Sequence, residues 1–254
     1  AYAQRLYTLP LSLFGVAITQ VALPTFSHEA VTEVAGAGAP EVMGRIREQL
    51  GTSWRRMTYF VLPSSLGLAA FGRPAVSLLF EHGAFDARDT MAVTWVLAAY
   101  AAGLMAYAST RLFATAFYAL QDTRTPVRVA LVALAANIAL GIGLAWWLGT
   151  PGIALATALA SSLNAVLLAR RLRRRLAGLF APGVVASVRV MLVAVAAAAL
   201  VGAAPYLWLL GRWDAWSLGP RLAATVGLYL LVGGAYLLVA RMLGVRMMLP
   251  RRTR

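Results

Sequence analysis

The stretch from Val127 to Leu148 reads VRVALVALAANIALGIGLAWWL, and apart from Arg128 and Asn137 its 22 residues are apolar or glycine. That matches the roughly 20 residues a helix needs to cross a bilayer core. A membrane β-strand would instead alternate apolar and polar positions over about 10 residues, so the run reads as a helix and the fold class as all-α. Working outward, Gly152 to Ala169, Met91 to Leu112, Met57 to Leu79 and Leu6 to Phe26 repeat the pattern, and Val190 to Leu210 and Leu222 to Ala240 follow. A polytopic integral membrane bundle of about seven transmembrane helices is expected. The third span can extend to Tyr118, which would leave Arg111 inside the membrane, and Pro10, Pro63 and Pro205 are expected to kink their helices.

Composition agrees. The 254 residues are 61% hydrophobic and 13% charged, against about 45–50% and about 25% in soluble domains, which excludes a soluble globular protein. The net charge of +14 comes from 23 arginines, no lysine and nine acids. Nucleic-acid binding is the simplest reading of such a charge, but the arginines gather at the ends of apolar runs, where they report membrane orientation instead. Eighteen fall in the connections after spans one, three, five and seven, against Arg5, Arg73, Arg88, Arg212 and Arg221 on the other side. The first side is expected to be cytoplasmic, with Ala1 outside and Arg254 inside. The absence of cysteine excludes disulfides and thiolate chemistry. With no initiator Met and no signal segment before its first apolar run, the chain reads as an internal fragment.

The connections carry their own patterns. Pro40 to Trp54 sets Val42, Met43, Ile46 and Leu50 opposite Glu41, Arg45, Arg47 and Glu48, as expected of an amphipathic helix lying on the cytoplasmic interface. The run from Arg170 to Arg175 reads as an anchor beside anionic headgroups. In Phe85 to Thr90 an aspartate or threonine is expected to cap the next helix. No metalloprotease, phosphate-loop or nucleophile-elbow motif occurs, His28 and His82 lie in connections on opposite sides, and all nine acids fall outside the spans. Enzymatic chemistry, a cofactor and a metal centre are therefore not expected.

Polar side chains inside spans usually face other helices or a water-filled cavity. Arg5, Thr8, Ser12, Gly15 and Thr19 follow helical spacing and share one face of the first span. That face is either part of a polar pathway or a small-residue packing seam with Arg5 as an interfacial anchor. Tyr100, Gly103, Tyr107 and Arg111 in the third span, Asn137 in the fourth, and Thr157, Ser161 and Asn164 in the fifth fit an amphiphilic cavity, and interhelical hydrogen bonding explains the two asparagines equally well. Spans six and seven are apolar nearly all round, with Gly227, Gly233 and Gly234 as the expected points of close approach.

Several motifs, taken in order, resemble one family. Ala3-Gln4-Arg5-Leu6, Leu9-Pro10, Gly15-Val16-Ala17 and Leu23-Pro24-Thr25-Phe26-Ser27 resemble the eighth helix of the MurJ/MviN family of lipid II flippases. Phe80-Glu81-His82-Gly83-Ala84-Phe85 with Asp89-Thr90, Ala98-Ala99-Tyr100 with Gly103-Leu104, and Phe117-Tyr118-Ala119 with Asp122, Thr125 and Pro126 continue the match. It is specific over Ala1 to Val129 and topological beyond, where the spans correspond to helices eight to fourteen. The resemblance implies the multidrug/oligosaccharidyl-lipid/polysaccharide exporter superfamily, with two pseudo-symmetric lobes around a central cavity. Residues 1–175 would be the second lobe without its first helix, and residues 176–254 two additional C-terminal helices with a basic cytoplasmic tail.

On that resemblance the whole protein moves undecaprenyl-pyrophosphate-linked peptidoglycan precursor from the cytoplasmic to the outer leaflet of the bacterial inner membrane by alternating access. Its partners would be the lipid-linked oligosaccharide, membrane lipids and the missing N-terminal lobe, with no nucleic acid. Arg5 is the one substrate-binding arginine the match retains, and Thr8, Ser12, Thr19 and Arg111 are the accompanying candidates. Asn137 and Thr157 match positions of a sodium site, but the aspartate position between them reads Gly141, which argues against sodium here. The alternative within the superfamily is a cation-coupled multidrug or polysaccharide-lipid exporter, which would be expected to keep an acid within its spans. A membrane enzyme acting on lipid-linked sugars should show catalytic acids or metal ligands, and a scaffold would need no polar face.

Overall fold

The computed structural model describes residues 2–16, 39–176, 178–179 and 182–245, and every regular element among them is a helix. Helix α1 (Tyr2–Pro10) passes at its proline into a π-helical stretch, Leu11–Val16. Proline cannot donate to the preceding turn, so a change of winding there follows from the sequence. Thr19, His28, the remainder of the expected first span and the tail from Arg246 lie outside the described residues.

Helix α2 (Ala39–Phe80) corrects two expectations. From Ala39 it runs unbroken through the amphipathic segment into the second span as far as the bend at Phe71, about 48 Å at 1.5 Å per residue and longer than a bilayer core. The segment is therefore not a separate helix on the interface: Ile46 and Leu50 are fully buried with Leu172, Leu176 and Leu179. The backbone leaves helical geometry at Phe71 (φ −120, ψ 18), not at Pro63. The relevant proline is Pro74, whose ring collides with the carbonyl four residues earlier.

The third span forms as α3 (Ala87–Ala102) and α4 (Leu104–Ala119), broken at Gly103. Asp86 caps α3, accepting the N–H groups of Arg88 and Asp89 at 2.8 and 2.9 Å, and the Asp89 carboxylate returns to the Asp86 N–H at 3.3 Å. After α5 (Arg124–Leu148), a one-residue turn at Gly149 (φ +62) starts α6 (Thr150–Arg175). A Cβ at Gly152 would stand 2.1 Å from the carbonyl oxygen of Leu144, so only glycine allows this closure. Helix α7 (Pro182–Arg212), a short 3-10 turn (Trp213–Ala215) and α8 (Leu218–Met242) complete the chain.

Five stretches are long and apolar enough to cross a membrane: Ala87–Ala119, Arg124–Leu148, Thr150–Arg175, Pro182–Ala215 and Leu218–Met242. Helix α2 is not among them, because Thr58, Ser64, Ser65 and Arg73 dilute its apolar run. With α2 and the partly described first helix, the architecture agrees with a bundle of about seven.

Packing places α2 at the centre. On one side α1, α3, α4 and α6 build a core around Leu6, Met57, Leu97, Leu104, Phe117 and Leu168. On the other, α7 and α8 pack on α2 through Tyr59, Phe71, Met191, Ala198, Val232 and Tyr236. The close approach in this second core is made by Gly202, where a Cβ would meet Val232 at 2.5 Å. Gly227, Gly233 and Gly234 have open space instead, because they lie on the sides of α8 turned away from its neighbours. Helix α5 leans on α6 and leaves Leu131, Leu134, Ile138, Ile142, Trp146 and Trp147 exposed, as a lipid-facing helix should.

Candidate functional site

The site is built on α1. Ala3, Leu6, Tyr7 and Leu11 turn inward and are buried, which leaves Arg5 and Ser12 exposed and Thr8 half-buried on the outward side. The hydroxyls fold back on their own helix: Thr8 Oγ1 donates to the carbonyls of Gln4 and Arg5, both at 2.9 Å, and Ser12 Oγ to Thr8 and Leu9 at 2.8 and 3.0 Å. They line a small polar surface without depending on a partner helix.

Behind this surface stands an aromatic stack. The Tyr7 ring lies 4.8 Å from Tyr100 and 5.9 Å from Tyr107, with interplanar angles of 20° and 27°. Arg111 is exposed one turn beyond Tyr107. Tyr100, Tyr107 and Arg111 are legible as polar positions in one span, whereas Tyr7 sits on the buried side of α1 outside the polar face that the spacing marks. The signal available for it was a tyrosine one position ahead of Thr8 in an otherwise aliphatic stretch.

The break at Gly103 brings these groups together. A Cβ at Gly103 would stand 2.7 Å from both Cα and Cβ of Ala158, so α6 crosses the α3–α4 junction at backbone contact. The carbonyl of Ala101, next to the break, accepts a hydrogen bond from Ser65 of α2. The Tyr107 hydroxyl is buried without a hydrogen-bond partner among the described residues, and the Ser161 carbonyl is 3.5 Å from Thr110 Oγ1. One turn on, Asn164 Oδ1 is buried without a hydrogen-bond partner among the described residues, so helix-to-helix bonding does not account for its oxygen. Asn137 and Thr157 are half-buried on α5 and α6, and Thr157 Oγ1 donates to the Ile153 carbonyl within its own helix.

Two acids organise the ends of the bundle. Asp122 accepts the Thr125 hydroxyl at 2.7 Å and its N–H at 2.9 Å, and pairs with Arg175 at 2.7 Å. The Thr125 bonds first, and Arg175 after them, hold its carboxyl below the usual aspartate range. Burial raises the Glu81 carboxyl, but bonds from Ser77 and Thr90 and the charges of Arg221 and Arg73 outweigh it and bring the net position below normal. Neither acid reaches the tyrosine stack. In the Arg170 to Arg175 run the arginines are exposed while Leu172 is fully buried against the α2 side.

Residues 1–227 match the family model described as lipid II flippase MurJ. A probable lipid II flippase MurJ of Vibrio cholerae is 33% identical over 252 residues, covering 97% of this chain and 45% of the relative. One of Haemophilus influenzae is 32% identical over 249 residues, covering 96% and 47%. A solved structure of lipid II flippase MurJ in an inward closed conformation superposes with a TM-score of 0.63 at 21% identity, over 92% of this chain and 45% of that one. The chain thus spans about half the length of the curated relatives it matches, and all of these names describe translocases. A family match over nearly the whole chain, the ordered motifs around Arg5, Glu81, Tyr100 and Asp122, and the shared helical architecture lead to one conclusion: the chain belongs to the lipid II flippase MurJ family.

Proposed function

We propose that the chain supplies the second lobe and two additional helices of a flippase that carries undecaprenyl-pyrophosphate-linked peptidoglycan precursor from the cytoplasmic to the outer leaflet by alternating access. The observation that carries this reading is the exposed Arg5 on a helix whose other side is locked into the lobe by Leu6, Tyr7 and Leu11. A guanidinium held at the edge of a lobe is placed to meet a diphosphate in a cavity closed by a first lobe, because its fork binds two oxygens at once. Thr8, Ser12, Thr19 and Arg111 would line the same cavity. Residues 1–175 act as the lobe, and residues 176–254 guide the prenyl tail along the exposed leucines of α7 and α8, among them Leu200, Leu207, Leu230 and Leu238. The arginine-rich end of α6 faces the cytoplasm, the protein resides in the inner membrane, and its C-terminus is cytoplasmic. Translocation makes and breaks no covalent bond, so no catalytic residue is assigned.

The test is complementation and precursor flipping by full-length protein at matched membrane abundance. Arg5→Ala is expected to abolish growth support, and Arg5→Lys to restore it only in part, since an ammonium does not replace the fork. Arg212→Ala, which removes a guanidinium stacked 4.4 Å over Trp208 away from the site, should behave as unsubstituted protein. Normal flipping by Arg5→Ala would leave Arg5 as an interfacial anchor.

A further inference from the structure

Two prolines remove donors from α2, and α8 places a tyrosine near each. Tyr59 lies four residues before Pro63, which has no N–H to offer its carbonyl. The hydroxyl of the buried Tyr236 on α8 donates to that carbonyl at 2.9 Å. Pro74 likewise has no N–H for the carbonyl of Ala70, and the helix leaves regular geometry at the next residue, Phe71. There the Tyr229 hydroxyl donates to the Phe71 carbonyl at 3.0 Å and lies 3.5 Å from that of Gly67, one turn earlier. Water is not available to satisfy such groups in a hydrocarbon surrounding, so a neighbouring side chain must do it. Tyr229 and Tyr236 are seven residues apart and share a face of α8.

The packing around the bend is shaped to receive them. A Cβ at Gly67 would stand 3.2 Å from the Tyr229 ring, and one at Gly202 of α7 would stand 2.8 Å from the tip of the Phe71 ring. Tyr206 meets Phe71 edge-on at 5.2 Å. On its opposite side α2 touches α3 on both sides of the bend: Ser65 bonds the Ala101 carbonyl, and a Cβ at Gly72 would stand 3.0 Å from Leu97. The angle of α2 therefore sets α3, and α3 carries Tyr100 of the aromatic stack.

We propose that Tyr229 and Tyr236 are positioning residues that splint α2, Tyr236 at the carbonyl that Pro63 leaves open and Tyr229 at the bend beside Pro74. Tyr229 holds the bend at Phe71 that aligns α3 and the Tyr100–Tyr7 stack for translocation. The hydroxyl of Tyr229 spans two carbonyls one turn apart, so it can follow the bend as it opens or tightens. The translocation part rests on the flippase reading above, whereas the splint itself does not.

The experiment uses full-length protein with spin labels at Leu79→Cys and Trp147→Cys, positions 52% and 84% exposed, and any other cysteines replaced. A change of about 20° acting over the roughly 12 Å arm from Phe71 to Leu79 displaces the first label by about 4 Å. Tyr229→Phe is expected to shift or broaden the distance distribution by that amount and to slow precursor flipping about fivefold at equal abundance, the scale of one lost hydrogen bond. Pro74→Ala returns an N–H to the Ala70 carbonyl and removes the cause of the bend, so in that background Tyr229→Phe is expected to leave the distance distribution unchanged, while Pro63→Ala should restore flipping in Tyr236→Phe. A general packing defect would shift the distances with or without Pro74. An unchanged distance distribution in Tyr229→Phe alone overturns the proposal, as does a shifted distribution with normal flipping or a shift that persists at full size in the Pro74→Ala background. If the unsubstituted protein moves no lipid-linked precursor, the flippase reading fails, while the distance measurement still decides the splint.

Discussion

Asp122 shows how a single residue ties two connections together. Its carboxylate holds the start of α5 through Thr125 and the end of α6 through Arg175, whose guanidinium also lies 5.8 Å from the Phe117 ring centre. Because folding depresses its pKa, the stabilisation is complete above the ordinary aspartate range and is lost as the pH falls through the lower folded value. Asp122→Asn is therefore expected to lower the thermal unfolding midpoint in detergent near neutral pH, and the difference from unsubstituted protein to shrink as the pH falls through the lower folded value. Arg175 is 48% exposed, so solvent screening limits the charge contribution to about 1 kcal/mol or less. A melting curve for Asp122→Asn that tracks unsubstituted protein at every pH would show that the pair contributes nothing. At this scale the sequence was informative about type and position: the aspartate cap of α3 and the exposed arginines of α6 appear where pattern placed them. It was silent on partners such as Asp122 with Arg175, because 53 residues separate them in the chain.

At the scale of the element, glycine decides which helices touch. Gly103 meets backbone and Cβ atoms of Ala158, and Gly152 meets the Leu144 carbonyl, so neither neighbour can yield as a flexible side chain would. Gly103→Ala and Gly152→Ala are expected to cost about 1–3 kcal/mol each by overpacking. Gly143→Ala, which meets nothing within 4 Å on its own helix, should be neutral or slightly stabilising. Unfolding midpoints of the three variants in one detergent check this, and equal midpoints would mean that the α6 crossing is loose. The existence of the described spans was legible, since a long apolar run in a membrane protein has few options besides a helix, but their bounds were not: the helix of the second span begins at Ala39 and that of the sixth at Pro182. The bend was not: Pro63 and Pro74 are equivalent in sequence, and only the packing of Phe71 against Gly202 and Tyr206 distinguishes the second.

For the whole molecule, the distribution of 18 arginines against five predicts its orientation. The chain contains no cysteine, so single replacements report cleanly. Arg174→Cys and Ala84→Cys, both exposed, should be labelled by an impermeant thiol reagent only from the cytoplasmic and only from the outer side respectively. Labelling of Arg174→Cys from outside would reverse the topology. By itself the sequence determined that the protein is an all-helical membrane bundle, with Arg5 on a polar face of its first helix, while the flippase family was legible only through motifs that resemble it. Those properties are local or additive: hydropathy, charge at span ends and helical spacing need no knowledge of neighbours. Tertiary structure alone decided that α2 is bent at Phe71 and walled in on both sides, that Ile46 and Leu50 of the amphipathic segment are covered by protein, and that Tyr7 stacks on Tyr100 and Tyr107. Apolar faces read the same whether they will meet lipid or another helix, and only the packed bundle settles which of the two each one meets.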